Sequence, residues 1–397
     1  MSQTTQGRTT YRAPEPAEDP KFLWQLDWIL IIAALGLSVL GVILVWSATQ
    51  GGDDGETGRR QAVSLVLALV LALILARVNP RVLRTWAIPI YALAVAGLLL
   101  TFSPLGIEVA GARAWIALPG GITIQPSEFA KLALIVMGAA ILSRASVQGR
   151  HAGLADVGLS LAVALPLAAL VIVQRDSGSA MVMGCILAVM LLISGASWKI
   201  LLPMGLAIVG AVYYVLNSDI LPTYQVARLT AFMNPDADPL GAGHNTLQAR
   251  IAIGSGGLTG QGLGEGTQTQ GGFVPVNESD FIYTVAVEEL GMYGGVAIIV
   301  LLSAVIWRGL VIAFRTQDTF GRCMAAGVVG WFAFQGFESI GMALGITPVT
   351  GITLPFVSYG GTSMIATWLG IGLLLAIRVA DREQRRKNAE DATPSLT

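Results

Sequence analysis

Among the acidic residues, Asp280 has the sequence environment that best suits a catalytic role. It closes a glycine-rich, polar insert at residues 217–280, and a long apolar run begins directly after it. A partly desolvated carboxylate at such a boundary could take a proton from a hydroxyl group, which makes Asp280 a candidate general base. Ser279 and Asp280 also stand where a helix N-cap is expected, and capping is the alternative role. A helix N-terminus would lower the basicity of that carboxylate.

Other ionisable residues lie inside apolar runs, where a charge at mid-bilayer costs about 2.5–3.5 kcal/mol on insertion scales. Glu128 and Lys131 are three residues apart, so they can meet on one face of a helix, either as a structural salt bridge or as part of a substrate site. Asp280, Thr284 and Glu288 recur at every fourth position. This spacing predicts a polar stripe that faces the interior of a helix bundle.

The elements that must position these residues are membrane helices. Hydrophobic residues make up 54% of the 397 positions and charged residues only 12%, whereas a soluble domain has about 25% charged residues. The mean hydropathy is +0.68. We expect an all-α polytopic membrane protein with about ten transmembrane helices, because ten apolar runs approach the roughly 20 residues that a span needs. The predicted spans are 28–48, 61–77, 87–103, 127–143, 155–174, 178–195, 199–216, 281–307, 321–345 and 362–380.

Charge, cysteines and glycine patterns exclude several function classes. The net charge of −1, with no basic stripe, gives no case for nucleic acid. Cys185 and Cys323 are too isolated to form a disulfide framework or a metal site. The glycine cluster at 254–266 lacks the flanking features of a dinucleotide fingerprint or a Walker A motif. It is either a loop whose backbone N–H groups can approach a phosphate or simply a flexible segment.

The distribution of lysine and arginine predicts the orientation in the membrane. The two tails and alternate loops carry 17 of the 24 basic residues, and the opposite loops carry six. By the positive-inside rule, both termini are cytoplasmic and residues 217–280 form a large extracytoplasmic loop between helices 7 and 8. The predicted organisation is a disordered cytoplasmic tail at 1–27, a membrane domain at 28–380 and a cytoplasmic tail at 381–397.

Two further outer segments carry candidate ligand contacts. Arg113 lies two residues from Trp115, and such a pair is either an interface anchor or a contact to a pyrophosphate or sugar. The segment 347–363 is either a tight re-entrant turn or a binding loop, because its adjacent glycines permit a close backbone approach. Its candidate residues are Ser358, Tyr359, Thr362 and Ser363.

Several long motifs in the chain resemble those of one known family. The matching stretches are GARAWI with QPSEFAKL, the dipeptide Arg60-Gln61, QRDSGSA, RLTAFMNPDADPLGAGHNTLQARIAIGSGGLTGQGLGEGTQTQ, SDFIYTVAVEELG and ITLPFVSYGGTSM. Together they resemble the SEDS proteins (shape, elongation, division, sporulation), the RodA/FtsW family, over about residues 25–380. The sequence IAIGSGG followed by GTQ favours the RodA branch, which serves cell elongation and shape, over FtsW.

The resemblance implies a peptidoglycan glycosyltransferase that polymerises lipid II at the outer face of the plasma membrane, with a class B penicillin-binding protein as its transpeptidase partner. It places the essential acid of the family on Asp280, as the base that activates the acceptor sugar hydroxyl. A divalent cation, Mg²⁺ or Mn²⁺, is compatible with pyrophosphate chemistry, although the sequence shows no dedicated metal cage. The predicted substrate-binding residues are Arg60, Arg113, Trp115, Glu128, Lys131, Asp176, Gln268, Ser358, Tyr359, Thr362 and Ser363.

The chain departs from the family pattern at two places. Val276 stands where the family usually has glutamate, and an acid reappears only at Glu278. Arg175 stands where the family usually has proline, which adds a positive charge near the outer side. Three other functions stay open, namely an FtsW-like division polymerase, a flippase for the lipid-linked precursor, and a non-catalytic scaffold of a cell-wall complex.

Overall fold

The computed structural model describes residues 22–50, 55–109, 111–118, 122–216 and 243–391, with a few isolated positions between 218 and 232. Long apolar segments without internal breaks fold as helices, because only a helix satisfies every backbone hydrogen bond within the segment. The helices are α1 (Phe22–Gln25), α2 (Trp28–Ala48), α3 (Glu56–Leu75), α4 (Pro80–Thr85), α5 (Ala87–Leu100), α6 (Pro126–Val147), α7 (Leu154–Val173), α8 (Ser177–Ile193), α9 (Trp198–Leu216), α10 (His244–Gly256), α11 (Thr267–Gln270), α12 (Ile282–Arg315), α13 (Thr319–Leu344) and α14 (Gly361–Asp391).

Each of the ten predicted spans overlaps one of these helices. In the described part of the chain, six helices are long and apolar enough to cross a membrane, namely α2, α3, α6, α7, α12 and α14. Helices α5 and α8 are shorter apolar helices, and so is the first part of α9. The chain is therefore an all-α polytopic membrane protein, and the count of ten crossings stays a prediction.

The bundle core lies where α13 and α14 pack between the other long helices. Helix α14 runs along α3, and α13 contacts α6, α8 and α12. An aromatic cluster fills this core, with ring centroids 5.2 Å apart for Trp331 and Phe332 and 5.1 Å apart for Phe332 and Phe356. The indole Nε1 of Trp368 donates to Ser38 Oγ at 3.0 Å. Partners of this kind keep buried aromatic N–H groups satisfied.

The two described ends of the chain meet at the same end of the bundle. The Asp27 carboxylate accepts hydrogen bonds from Arg308 and Arg378, at 2.6 and 2.5 Å, and so joins α2, α12 and α14. A further bond runs from Arg382 Nη1 to the Trp24 carbonyl at 2.9 Å. The described residues near both termini therefore lie at one end of the bundle, and the number of crossings and the cytoplasmic location of this end stay predictions.

A three-stranded antiparallel hairpin sheet joins α5 to α6 at the opposite end. Its strands are β1 (Gly106–Val109), β2 (Ala112–Leu118) and β3 (Ile122–Ile124), in the order β1-β2-β3. Trp115 pairs with Ile107, and Ile116 pairs with Ile124. Ala114 and Ile116, on one face of β2, are buried, whereas Arg113 and Ala117, on the other face, are exposed, as the two-residue repeat of a strand requires. From the sequence we predicted only an outer segment here, with no strands.

Helix α12 is broken at Gly291, where we predicted one continuous span. Gly291 has φ 72° and ψ −170°, and a Cβ built there would lie 2.3 Å from the Leu258 carbonyl oxygen. The amide of Met292 donates instead to the Gly257 carbonyl at 2.9 Å. A residue without a side chain is required here because the polar insert packs directly into the break.

The start of α12 corrects the capping alternative for Asp280. The N-cap is Phe281, so Asp280 lies one residue before the cap. Thr284 and Glu288 are both fully buried, as expected for the inner face of a bundle helix. Of the predicted loop 217–280, most of 217–242 lies outside the described residues, and the described part from residue 243 onward packs on α12 through α10.

Candidate active site

A polar cavity of about 330 Å³ lies at the end of the bundle that carries the hairpin. Asp280 lines it together with five of the predicted substrate contacts. Residues of the hairpin, α6, α8, α13, the start of α14 and two loops form its wall. The lining residues are Val109, Trp115, Thr123, Gln125, Glu128, Lys131, Asp176, Ser179, Val182, Val276, Glu278, Ser279, Asp280, Gln335, Gly351, Ile352, Thr353, Tyr359, Gly360 and Gly361.

Asp280 sits at the end of a tight turn that begins at Val276. The Val276 carbonyl accepts the amides of Ser279 and Asp280 at 3.3 and 3.1 Å. Ser279 Oγ donates to Asp280 Oδ1 at 3.0 Å. A Cβ placed on Gly351 would lie 3.5 Å from Asp280 Oδ2, so the backbone of the opposite loop runs beside the carboxylate. The carboxylate is therefore held at the cavity wall and is only partly exposed.

The loop between α13 and α14 locks this turn in place. Ser358 Oγ donates to the Ser279 carbonyl at 2.5 Å, and the Tyr359 amide donates to the Glu278 carbonyl at 2.9 Å. From α3, Gln61 Nε2 donates to the Ser358 carbonyl at 2.9 Å. Ser358 is buried and connects backbone segments, while the neighbouring Tyr359 lines the cavity.

Glu128 and Lys131 form a buried ion pair in the cavity wall. Lys131 Nζ lies 2.8 Å from Glu128 Oε1 and 3.1 Å from Gln335 Oε1, and it stands 5.0 Å from the centre of the Trp331 ring. Gln335 Nε2 donates to the Thr353 carbonyl at 2.8 Å. Glu128 Oε2 is buried with no hydrogen-bond partner among the described residues. Gln335 thus connects the pair to the loop that faces Asp280.

Sequence reasoning missed Gln335. The candidate residues inside apolar runs were chosen because they are ionisable, and Gln335 is neutral. A polar side chain at that position in a predicted span is nevertheless expensive to bury without partners, and this cost is the signal that points to Gln335.

Asp176 caps the helix that begins beside the hairpin. Its Oδ1 accepts the Ser179 amide at 3.0 Å, as an N-cap carboxylate does. Its Oδ2 accepts Gln125 Nε2 at 3.1 Å and Ser127 Oγ at 3.2 Å. Asp176 therefore lines the cavity and also ties α8 to the start of α6.

The structure does not bring the remaining predicted contacts to the cavity wall. Arg60 is exposed and pairs with Glu56 one turn earlier at 2.5 Å. The exposed Arg113 donates to the Ser103 carbonyl at 3.0 Å. Thr362 and Ser363 do not line the cavity, and their hydroxyls contact residues that do. Thr362 Oγ1 donates to the Thr123 carbonyl at 3.2 Å, and Ser363 Oγ lies 3.3 Å from Thr353 Oγ1. The Gln268 amide contacts Glu288.

Glu288 is a fully buried acceptor for the insert that leads to Asp280. One of its carboxylate oxygens accepts the Gln268 amide at 2.6 Å, and the other accepts the Thr269 amide at 3.0 Å and Thr269 Oγ1 at 2.6 Å. Asn277 Nδ2 in turn donates to the Thr269 carbonyl at 3.4 Å. A chain of contacts thus runs from α12 through the insert to the turn that carries Asp280.

We expect the Glu288→Gln variant to loosen residues 267–270. An amide in place of the carboxylate turns an N–H group toward backbone N–H donors, and losing a hydrogen bond to a charged group costs about 1.5–3 kcal/mol. Hydrogen exchange of the Gln268 and Thr269 amides should accelerate at least about tenfold. Glu265→Gln, at an exposed glutamate of the same insert, is the matched control. Unchanged protection in Glu288→Gln would contradict the assigned role.

The hairpin separates the polar cavity from an apolar groove. Trp115 and Thr123 line the cavity. The residues that directly follow them, Ile116 and Ile124, point to the other face of the sheet and line a groove of about 520 Å³ with almost wholly apolar walls. This division follows from the two-residue repeat of a strand. The groove runs between α3, α4, α5, α6 and α14. Its other lining residues are Leu75, Leu83, Ile90, Leu93, Ala94, Gly97, Pro126, Phe129, Leu132, Val136, Leu369 and Leu373.

The described residues contain no group of three or more His, Cys, Asp or Glu side chains that could hold a metal ion. Around the cavity, amide and hydroxyl groups engage the Asp176 carboxylate and the Lys131 ammonium engages Glu128 Oε1, whereas Glu128 Oε2 has no partner among the described residues. A divalent cation that arrives with a pyrophosphate substrate stays a prediction, because such a cation takes much of its coordination from phosphate and water.

Comparison with known proteins identifies the family. Residues 27–383 match the model of the FtsW/RodA/SpoVE cell cycle proteins. The chain is 36% identical to the peptidoglycan glycosyltransferase MrdB of Escherichia coli K12 over 352 residues, which cover 89% of this chain and 93% of that protein. It is 34% identical to stage V sporulation protein E of Bacillus subtilis 168 over 362 residues, which cover 88% and 96% of the two chains.

Solved structures agree with these relatives. One, concerned with the structural coordination of polymerization and crosslinking by a peptidoglycan synthase complex, aligns with TM-score 0.75 and 31% identity over 89% of this chain and 97% of that chain. The crystal structure of the rod shape determining protein RodA of Thermus thermophilus aligns with TM-score 0.67 and 30% identity, over 90% and 97% of the two chains. The chain therefore belongs to the FtsW/RodA/SpoVE family of cell cycle proteins, the SEDS family that its motifs resemble.

Proposed function

We propose that this membrane protein, a peptidoglycan glycosyltransferase of the SEDS family, polymerises lipid II with Asp280 as the general base. The observation that carries the proposal is the Asp280 carboxylate at the wall of a polar cavity that adjoins an apolar groove. A lipid-linked sugar needs both environments, one for the saccharide and pyrophosphate and one for the hydrocarbon chain.

The reaction is a displacement at an anomeric carbon. Asp280 takes the proton of the acceptor sugar hydroxyl, and the hydroxyl oxygen forms a bond to the anomeric carbon of the growing strand. The bond from that carbon to the pyrophosphate oxygen breaks, and the lipid pyrophosphate leaves with the bonding electrons. The turn from Val276 to Asp280 and the backbone at Gly351 hold the base in one place, so that little reorganisation is needed in the transition state.

The buried Lys131 is the cation of the cavity wall, and in this proposal it faces the pyrophosphate of the donor. Its partner Glu128 keeps the pair neutral overall before substrate binds. Arg113 and Arg60 lie outside the cavity wall and are exposed. In this proposal they contact the pyrophosphate through the guanidinium donors that their bonds to Ser103 and Glu56 leave over.

Filling the apolar groove should weaken binding of the lipid-linked substrate. We expect Ile124→Trp to raise the KM for lipid II about tenfold, since each buried CH₂ of a lipid chain contributes about 0.8 kcal/mol and about two would be displaced. The kcat should stay near the original value. Ile346→Trp, at an exposed isoleucine of the loop after α13, is the control.

Substrate length provides the decisive comparison for that variant. With a lipid II analogue whose chain is too short to enter the groove, Ile124→Trp and the unaltered enzyme should have the same KM. An equal rise in KM for the long and the short analogue would show that the substitution distorts the hairpin and that the groove does not hold the chain.

The relatives support a RodA-like role in elongation, with an FtsW-like division role as the second candidate. Curated relatives at nearly equal identity carry both names, MrdB at 36% and FtsW of Geobacter metallireducens at 35%. The motif IAIGSGG followed by GTQ is the observation that favours RodA. Depletion of the chain should produce rounded cells in the first case and filaments in the second.

We infer further that both termini are cytoplasmic in the plasma membrane and that a class B penicillin-binding protein binds this chain. The excess of lysine and arginine at the end that carries Asp27 supports the orientation. The partner is supported by the synthase complex whose solved structure this chain resembles. A cysteine-accessibility assay from the two sides of the membrane tests the orientation.

The Asp280→Ala variant, purified with its partner and supplied with lipid II, tests the proposed reaction. Loss of glycan synthesis with normal folding and partner binding supports the polymerase. Loss of lipid translocation in vesicles without any loss of polymerisation identifies a flippase. Unchanged synthesis by Asp280→Ala excludes Asp280 as the base. Polymerisation that persists when the chain is left out of the purified mixture, with loss of a cell-wall complex on its deletion from cells, identifies a scaffold.

A further inference from the structure

A second, open groove of about 430 Å³ lies on the other side of the turn that precedes Asp280. Val276 and Glu278 line both this groove and the polar cavity, so the turn forms a ridge between the two. We call it the outer groove. Its lining residues are Ala48, Thr49, Thr269, Gln270, Gly272, Val274, Pro275, Val276, Asn277 and Glu278.

The backbone of this ridge is held firmly in an unusual conformation. Val276 has φ 52°, which is a strained value for a β-branched residue. Strain of this kind persists only where the surroundings enforce it, and it is concentrated at functional sites. Here the Glu278 carbonyl accepts the Tyr359 amide at 2.9 Å, and the Asn277 side chain is buried against Thr269.

The Glu278 side chain has no such restraint. Its carboxylate makes no hydrogen bond or ion pair with any described residue, although Glu278 borders two cavities and lies two positions before Asp280. A half-buried carboxylate over a fixed backbone is a ready acceptor for hydroxyl donors. Charge-assisted hydrogen bonds of this type are about twice as strong as neutral ones.

The outer groove has the mixed character that a sugar ring requires. Thr49, Gln270 and Asn277 contribute oxygen acceptors, since the Thr49 hydroxyl and the two amide N–H groups donate to carbonyls of the protein itself. Val274 and Pro275 contribute apolar surface. Hexose rings have apolar faces and rims of hydroxyl groups. The apolar groove that suits a lipid chain lies instead beside the hairpin, which bounds the polar cavity on a different wall.

We propose that the outer groove is a saccharide subsite for the growing glycan strand, and that Glu278 accepts a hydrogen bond from a sugar hydroxyl as the strand crosses the ridge. This inference rests on the proposed function. In that reaction the anomeric end of the strand reacts at Asp280, so its older sugars must extend away from the reacting centre. The outer groove lies next to the cavity that holds Asp280, on the far side of the ridge that Val276 and Glu278 form, so the older sugars can extend into it.

Product length is the measurement that tests the subsite. With Glu278→Ala, the mean glycan length should fall and the KM for a preformed oligosaccharide donor should rise about tenfold, since a hydrogen bond to a charged group is lost. The rise in KM should be larger for this oligosaccharide donor than for the coupling of two lipid II molecules, because lipid II carries no older strand to occupy the outer groove. Glu278→Gln should lie between these values, and Glu265→Ala should match the unaltered enzyme.

Photo-crosslinking provides a test that does not depend on activity. A photoreactive residue at Thr49 should crosslink a labelled oligomeric glycan and lose the signal when unlabelled glycan is added, whereas the same residue at Trp307, in α12 at the opposite end of the bundle, should not react. Absence of a competed crosslink at Thr49, or unaltered glycan length and KM in Glu278→Ala, overturns the proposal.

Two further outcomes have distinct meanings. If Glu278→Ala weakens binding of the transpeptidase while the KM for oligosaccharide stays unchanged, the outer groove is a protein-docking surface and the saccharide assignment is overturned. If Asp280→Ala abolishes synthesis and Glu278→Ala changes neither length nor KM, only the subsite fails. Full synthesis by Asp280→Ala would exclude Asp280 as the base, and with it the reacting centre from which the subsite is argued.

Discussion

Asp280→Asn is expected to lower the rate of glycan polymerisation by about 10²–10⁴, the contribution of a general base to a rate. Asparagine has almost the same shape as aspartate, and its side-chain oxygen can still accept the bond that Ser279 Oγ donates to Asp280 Oδ1 at 3.0 Å. What it cannot do is take the proton of the acceptor hydroxyl. The loss should therefore appear in kcat, with little change in the KM for lipid II.

Two controls separate loss of the base from loss of structure. Ser279→Ala removes the neighbouring hydroxyl and should reduce the rate far less, since Oδ1 of Asp280 loses one neutral donor only. The thermal unfolding of Asp280→Asn and its association with the transpeptidase should match the unaltered chain. Polymerisation at the original rate by Asp280→Asn would exclude this carboxylate as the base.

The second large effect is expected from Lys131→Met. This change leaves the Glu128 carboxylate buried without its cation, and breaking a buried ion pair from one side costs about 3–5 kcal/mol. Lys131 and Glu128 have side-chain exposures of only 2% and 5%, so solvent does little to replace the lost partner. Thermal unfolding in detergent should shift downward by many degrees, and polymerisation should be lost.

A double variant distinguishes stability from function at this pair. Lys131→Met combined with Glu128→Gln removes both charges and should recover most of the lost stability, because no buried charge is left unpaired. It should not recover polymerisation, since the cation of the cavity wall is still missing. If the single variant unfolds at the same temperature as the unaltered chain, the pair is not the buried element described here.

The link between these two predictions is the loop that joins α13 to α14. Gln335 connects Lys131 to the Thr353 carbonyl, and Gly351 in the same loop runs beside the Asp280 carboxylate. A change at Lys131 therefore reaches Asp280 through only a few contacts. We expect the effects of Lys131→Met and Asp280→Asn on kcat to be non-additive, as they are for residues that act as a unit.

The fold class could be predicted from the sequence because hydropathy depends only on residues that are adjacent in the chain. Each of the ten apolar runs overlaps a helix, and six of these helices are long and apolar enough to cross a membrane by length and composition alone. The family was available because several long motifs are contiguous in the chain, and the family model covers residues 27–383. Asp280 was singled out for the same reason, since a polar insert and an apolar run meet there.

The hairpin and the break in α12 were not predictable from local pattern. Strand β3 has only three residues, Ile122–Ile124, and such a short strand is stable only because β2 pairs with it. Gly291 stands in an apolar run like many other glycines of this chain, and only the approach of the Leu258 carbonyl requires a residue without a side chain there.

The sequence by itself thus determined the helices, the family and the candidate base, because these depend on residues that are adjacent in the chain. Only the tertiary structure decided which polar residues share the cavity with Asp280. It placed Gln335 and Glu278 in the wall and left Arg60 and Arg113 outside it. The physical reason is that a cavity wall is made of contacts between segments distant in sequence, whereas hydropathy and motifs are read from adjacent residues. Both arginines are exposed, with Arg60 paired to Glu56 and Arg113 bonded to the Ser103 carbonyl.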